Sequence, residues 1–299
     1  MKLDKSDIAT GEVLAWKGLH LLNNAQSSCS QKIRVLLAEK GLAYRSREID
    51  LKKLEHTTPW FLGINPRGVV PVLVDNGDVH IESNDILAYL EERYPGEESW
   101  FPTNAEEERE AQKLLDLEAS LHPQLRAITM GFLAPNKMMT KSEAELEAYL
   151  ANGPDNSYRQ EQVQWWRNFA DNGISRDDAR DAVSAFHQAF CQLEIRLGKA
   201  EWLIADHPTV VDIAWFINIH RLALAGYPLD EHPALAVYYQ RLLKRPAWAR
   251  EISKAPFALR LAAPLYRLLR RLQGSHLAPV YAELEPFHAN TPSETVSAA

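Results

Sequence analysis

The chain has 299 residues, 46% hydrophobic and 24% charged, enough apolar material for a sizeable core and too much for a disordered segment. A net charge of -7 at pH 7 argues against a nucleic-acid partner, which would call for a basic stripe or patch. Its two cysteines, Cys29 and Cys191, make no disulfide framework; no zinc-type Cys/His spacing, no Gly-rich phosphate loop and no apolar run of about 18 residues is present. No metal and no membrane-spanning helix are therefore expected. The N-terminus lacks the apolar run of a secretory signal, and a soluble cytoplasmic protein is the expectation.

Residues 1–17 are polar and mixed and read as a partly ordered N-terminal extension. The apolar run Leu19 to Leu22 reads as a strand, Asn23 to Ser27 as a tight polar loop, and Ile33, Leu36, Leu37 and Lys40 as one face of a helix. Ser28 with Gln31 three residues on is a capping-box pattern, and Gly41 sits where the helix should stop. The hydroxyl-rich run Ser27-Ser28-Cys29-Ser30 thus lies at the positive end of a helix, where unpaired N–H groups and the helix dipole favour an anion. Plain capping also accounts for serines at such a place.

Tyr44, Ile49 and Leu51 suggest a second strand, and a short helical or irregular connection follows to Leu62. Asn65-Pro66-Arg67-Gly68 punctuates the chain before Val69 to Val74, a β-branched run interrupted by Pro71. A proline inside a buried strand removes a ladder hydrogen bond, and a cis peptide at the strand entry would account for it. Asp75-Asn76-Gly77-Asp78 signals a hairpin returning through Val79-His80-Ile81, and a helix from Ser83 to Tyr94 closes the unit.

From Ala105 the periodicity turns helical, with helices over Glu107 to Leu121, Tyr158 to Asp171 and Asp177 to Gly198. Thr209 three residues before Asp212 opens the buried helix Ile213 to Leu224, and two more helices lie near 233–244 and 247–254. Farther on, Leu261, Leu265, Leu268, Leu269 and Leu272 form a stripe flanked by Arg260, Arg267, Arg270 and Arg271. Such a helix can lie on a membrane, but the expectation is that the leucines pack on the bundle and the arginines face water. Residues 289–299 read as a disordered tail.

With SSCSQKIR after the first strand, NPRGVVPVL in mid-unit, ESNDILAYLEERYP at its end and a helical bundle behind, the chain resembles the glutathione S-transferase superfamily over roughly 18–251. SSCS is similar to the zeta class. LAEKGLAYRSREIDLKKLEHTTPWFLGINPRGVVPVL and the bundle segment YRQEQVQWWRNFADNG are closer to bacterial β-etherases, the former also to the ganglioside-induced differentiation-associated branch. The resemblance implies an α/β plus all-α protein. Its parts are an N-terminal thioredoxin-like domain with a mixed four-stranded sheet (18–97) and a C-terminal helical bundle that binds substrate (104–256). The extension (1–17) and a C-terminal helix with its tail (257–299) flank them.

The resemblance further implies a homodimer using glutathione as co-substrate, its thiolate attacking a small hydrophobic, aromatic electrophile by conjugation or by thiolytic displacement such as β-aryl ether cleavage. Alternatives are a zeta-like isomerase, a reductive dehalogenase and a non-catalytic glutathione-fold binding protein. A thiol with an ordinary pKa near 8.5 is only a few per cent ionised at neutral pH, and lowering it by two units requires about 2.7 kcal/mol. Ser27, the first residue of SSCS, is the implied thiolate partner, with Ser30 its rival and Cys29, as a direct nucleophile, a third candidate. Val70, before a cis Pro71, would pair its backbone with the cysteinyl part of glutathione. Glu82 and Ser83 would hold the γ-glutamyl end and His56 the glycine carboxylate, while Val69 stands where the family often has Lys or Gln. Gln26, His122, Met130, Phe132, Tyr158, Trp165 and Trp166 are candidates for the electrophile pocket, and Cys191 reads as a structural core residue.

Overall fold

The computed structural model describes residues 1–152, 157–254 and 257–284, with the backbone alone for 257–261. The tail expected at 289–299 lies outside the described residues.

Strand β1 (Leu19–Asn23) leads through helix α1 (Ser28–Glu39) to β2 (Arg45–Glu48), which pairs with it in parallel. A 3-10 turn (Glu55–Thr57) and the short α2 (Pro59–Leu62) precede β3 (Val72–Asp75) and β4 (Asp78–His80), both antiparallel, and α3 (Ser83–Arg93). The sheet order is β2-β1-β3-β4, the expected mixed four-stranded sheet. Along β1 and β3, Leu21 and Leu73 join the cluster shared with α1, α3 and the bundle, whereas Leu22, Val72 and Val74 join a second cluster on the opposite face. Asn76 and Gly77 both take positive φ, 50° and 87°, the two-residue turn that the Asn-Gly pair signals. A Cβ on Gly77 would stand 2.1 Å from the Leu14 carbonyl oxygen, so only glycine fits there. The Val70-Pro71 bond is cis, and β3 starts one residue later, so Pro71 costs the sheet no ladder bond.

Residues 1–17 are more ordered than expected. Leu3 N–H donates to the Val79 carbonyl at 2.9 Å and Thr10 N–H to Gly63 at 3.0 Å, and Ile8 and Val13 are buried in the second cluster. Alternation too short to register as a strand hides an edge that pairs with β4 through Lys2 and His80.

The bundle comprises α4 (Ala105–Ser120), α5 (His122–Ile128) running into a π-helical turn (Thr129–Leu133), α6 (Glu143–Ala151), α7 (Ser157–Asn172) and α8 (Arg176–Leu197). It continues with α9 (Val210–Ala225), α10 (Pro233–Leu243), α11 (Pro246–Ser253), α12 (Phe257–Leu272) and α13 (Leu277–Tyr281). Buried on almost every side, α9 starts at the expected capping box, in which Thr209 and Asp212 satisfy each other's backbone N–H groups. Asp212 also accepts from Tyr238 Oη at 2.6 Å, tying α10 to α9.

The expectation for α12 is reversed for its described leucines and for Arg270, while Arg271 is exposed as expected. Leu265, Leu268, Leu269 and Leu272 are 47–76% exposed, while Arg270 turns inward over the Phe132 ring, 5.2 Å from its centroid. Guanidinium stacking on aromatic faces lets arginine supply the packed side of a helix whose leucines face out. The Leu261 and Arg260 side chains lie outside the described ones. Among the described residues, no helix is long and apolar enough to cross a membrane.

Candidate active site

The cleft is organised by the loop between β1 and α1. Asn24 makes an Asx turn, its Oδ1 accepting from Gln26 N–H at 2.9 Å. Arg34 of α1 pairs with Glu251 of α11 at 2.6 Å and donates to the Asn24 carbonyl at 3.1 Å and the Ala25 carbonyl at 3.2 Å. Arg221 of α9 donates to the next carbonyl, Gln26, and to Gln31 Oε1 at 3.1 Å. Two buried guanidiniums therefore hold three successive carbonyls and fix the point at which α1 begins.

That point is Ser27. Its Oγ accepts from Ser30 N–H at 3.2 Å, making it the N-cap and Ser28 the first helical residue. The Ser28/Gln31 capping box is thereby corrected: Arg221 and the Glu251 carbonyl claim the Gln31 amide. Because the Ser27 oxygen accepts within the cap, its O–H proton can be donated outward. Ser30 is fully buried, and its Oγ accepts from Asn24 N–H at 3.3 Å, so it braces the loop. Cys29 is half-buried and lies within electrostatic range of both Arg221 and Tyr158. Burial pushes the Arg221 guanidinium down to about 10, which leaves it cationic at neutral pH.

The opposite wall is the β3 entry and the α3 N-terminus. Pro71 is buried and Val70 half-buried, with the Val69 carbonyl held by Asn65 Nδ2 at 2.8 Å. Glu82 takes φ 65° and ψ 117°, a conformation that costs a non-glycine residue about 1–3 kcal/mol. Its carboxylate pairs with Arg67 at 2.5 Å, and buried Ser83 opens α3 directly behind it. A second positive helix end thus faces the cleft. His56 sits half-buried in its 3-10 turn; burial, aided by Lys141, pushes the imidazole down to about 4, and its Nδ1 has no partner. At neutral pH it offers hydrogen bonds and no charge.

The bundle side is more cationic than an apolar wall. Arg126 lies 3.4 Å over the Trp165 ring and bonds Gln162, and Lys141 lies 4.6 Å over Trp166. Burial pushes the Lys141 amine down to about 8. Tyr158 connects the two halves: burial raises its phenol, against Arg126, with smaller contributions from Glu82, Arg67 and Cys29. Trp165 stacks on Phe169 at 5.2 Å, and Trp166 packs on the small core of Leu62, Leu146, Tyr149 and Val163. Gln26 is exposed, its Nε2 donating to the Lys254 carbonyl at 3.0 Å. Met130 is half-buried and Phe132 buried, both in the π-helical turn, where Phe132 meets Arg270 of α12.

His122 belongs to a different group. Its Nε2 lies 3.2 Å from Glu118 Oε1, in a network where Lys32 of α1 and Glu118 of α4, both fully buried, pair at 2.7 Å, joined by Asn84 and Asn218. Burial alone would raise the Glu118 carboxyl, but Lys32 and His122 outweigh it and hold the group well below the carboxylate range. Sequence reading missed Arg221, Arg126 and Lys141. A lone arginine on the otherwise apolar α9 was the available signal for the first.

Comparison with known proteins identifies the family. Residues 26–93 match the profile described as glutathione S-transferase, N-terminal domain, and residues 143–241 the C-terminal domain profile. Glutathione S-transferase F9 of Arabidopsis thaliana is 32% identical over 236 residues, covering 75% of this chain and 91% of its own. A zeta-class glutathione S-transferase of Euphorbia esula is 51% identical over 77 residues, only 26% of this chain and 34% of its own length. The crystal structure of the beta-etherase LigF from a Sphingobium species superposes with a TM-score of 0.69 at 26% identity, covering 79% of this chain and 99% of that one.

Proposed function

The chain belongs to the glutathione S-transferase family, and from that membership we propose that Ser27 stabilises the thiolate of bound glutathione for attack on a small hydrophobic, aromatic electrophile. The observation that carries this reading is the Ser27 cap, whose O–H proton can be donated at a positive helix end beside buried Arg221. Val70, Glu82 and Ser83 would hold the cysteinyl and γ-glutamyl parts, and neutral His56 would donate to the glycine carboxylate.

The likeness to LigF supports thiolytic displacement of a β-aryl ether. In that reaction the sulfur forms a C–S bond at the carbon bearing the aryloxy group, the C–O bond breaks, and the aryloxide leaves and takes a proton from water. The Arg126 cation over Trp165 suits an aromatic ligand gaining negative charge. Family likeness also supports a cytoplasmic homodimer, with Cys29 as thiolate partner and a non-catalytic glutathione binder as the remaining readings of the cleft.

A turnover screen with glutathione against β-aryl ethers, halogenated quinols and a general aryl halide tests the assignment. Displacement of aryloxide from the ethers is expected; turnover of the quinols alone would move the reading to reductive dehalogenation. The likeness to the maleylacetoacetate isomerase of Pseudomonas aeruginosa, 27% identical over 216 residues, supports one further candidate substrate, maleylacetoacetate, whose isomerisation would replace the etherase reading. Retention on immobilised glutathione with no turnover and no thiolate would indicate the binder.

A further inference from the structure

The bundle holds a second group of reactive side chains away from the glutathione cleft. His187 and Cys191 stand four residues apart on one face of α8, and the turn between α9 and α10 brings His232 against them. His187 Nδ1 lies 3.3 Å from His232 Nε2, and Cys191 Sγ lies 3.7 and 3.9 Å from the His187 Nε2 and Nδ1. One ligand atom from each of the three residues falls within 4.8 Å of the others. A tetrahedral ion with bonds of about 2.0–2.1 Å to nitrogen and about 2.3 Å to sulfur needs N···N and N···S edges of about 3.3 and 3.6 Å. With His187 Nδ1 as the donor, the N···N edge is met at 3.3 Å, the 3.9 Å edge to Cys191 Sγ would close by about 0.3 Å, and the Cys191–His232 edge lies within 4.8 Å.

Tyr227 Oη caps the group, 2.9 Å from His232 Nε2 and 3.3 Å from His187 Nδ1. His232 is 2% exposed, and the rings of Phe190, Tyr227 and Tyr281 wall the cluster. Hydrogen bonds among the two rings, the Tyr227 hydroxyl and the Cys191 thiol, which lies within donor reach of the His187 ring, give the same groups a metal-free arrangement as well. A metal ion uses all three donors.

We propose that His187, Cys191 and His232 bind one divalent transition ion of the zinc type, with Tyr227 Oη or a water in the fourth position. Two imidazoles and a thiolate suit zinc or cobalt and reject magnesium and calcium, which prefer oxygen. Binding would release the Cys191 thiol proton to solvent and fasten the start of α10 to α8.

The test is titration of the metal-free full chain with cobalt(II), without glutathione, whose own thiol would compete. One equivalent should give intense tetrahedral visible bands and a thiolate-to-cobalt charge-transfer band, both displaced by zinc. Cys191→Ser should abolish the charge-transfer band, and Cys191→Ser and His187→Gln should each weaken binding at least as much as the about 10- to 100-fold that losing an outer-shell partner costs, while Cys29→Ser changes neither. Transferase turnover should survive in the Cys191 and His187 variants. A wild-type spectrum with only weak octahedral bands, or a charge-transfer band that persists in Cys191→Ser, would overturn the proposal. A charge-transfer band kept in Cys29→Ser assigns the thiolate to Cys191 even where the Cys191 or His187 variant folds poorly.

Discussion

Arg221 reaches 195 residues back along the chain to donate to the carbonyl of Gln26, the residue before the Ser27 cap. This contact puts a buried cation under the loop that would receive the glutathione sulfur. A helix N-terminus supplies about 0.3–1 kcal/mol to an anion and a hydrogen bond to a charged group about 1.5–3 kcal/mol. Together they give about 1.8–4 kcal/mol, a range that brackets the ~2.7 kcal/mol of a two-unit thiol shift, and the Arg221 cation acts in the same direction. Arg221→Gln should therefore raise the pKa of the bound thiol by about one unit. The ultraviolet absorbance of the thiolate, followed against pH, reads that shift; an unchanged midpoint would limit Arg221 to holding the loop in place.

Glu82 pairs with Arg67 while occupying a strained backbone position at the start of α3. If its carboxylate receives the γ-glutamyl amine, Glu82→Gln should raise the Kd of glutathione about 10- to 100-fold, in proportion to a lost charge-assisted hydrogen bond. Calorimetric titration measures this. The thiol pKa of what still binds should stay near the wild-type value, because Glu82 acts on the other end of the tripeptide.

The Lys32–Glu118 pair joins the two domains with no exposure on either side chain. Glu118→Gln leaves a buried ammonium uncompensated and should cost about 3–5 kcal/mol in urea denaturation. Lys32→Met combined with Glu118→Leu should restore much of that loss. A double variant as unstable as the single one would mean that Asn84, His122 and Asn218 depend on the charges for their own bonding.

Acid sensitivity follows from the buried and half-buried histidines, of which His220 and His80 act together with His56 and His232. Burial, with Arg221 and Arg267 nearby, pushes His220 down to about 3, and burial near the N-terminal amine pushes His80 down to about 4. The unfolded chain binds these protons from about pH 6.5 downward and the folded chain does not, so stability falls as pH drops through that window. Each histidine should take away about 1.6 kcal/mol between about pH 6.5 and about pH 5. Urea midpoints across this range measure the slope, and His220→Phe should flatten it; an unaltered slope would remove His220 as a source.

Much of the fold was legible because its signals are local. The Asn76-Gly77 turn, the Thr209–Asp212 box and the long period of α8 each lie within one element, and each occurs where expected. What escaped depends on partners distant in sequence. Either Ser27 or Ser28 can cap a helix on pattern alone, and Arg221's hold on Gln26 and Gln31 accompanies the choice of Ser27. The α12 leucines looked like core because periodicity cannot say which face an arginine will claim. His187 and Cys191 share a face by spacing, but only the turn after α9 brings His232 to them.

The central claim is that Ser27, and not Ser30 or Cys29, stabilises the thiolate. The most direct measurement is the ultraviolet difference absorbance of glutathione bound near neutral pH to the wild-type protein and to the Ser27→Ala, Ser30→Ala and Cys29→Ala variants. The thiolate band is expected to be lost in Ser27→Ala and largely kept in the other two. A band that survives Ser27→Ala and disappears with Cys29→Ala or Ser30→Ala would contradict it.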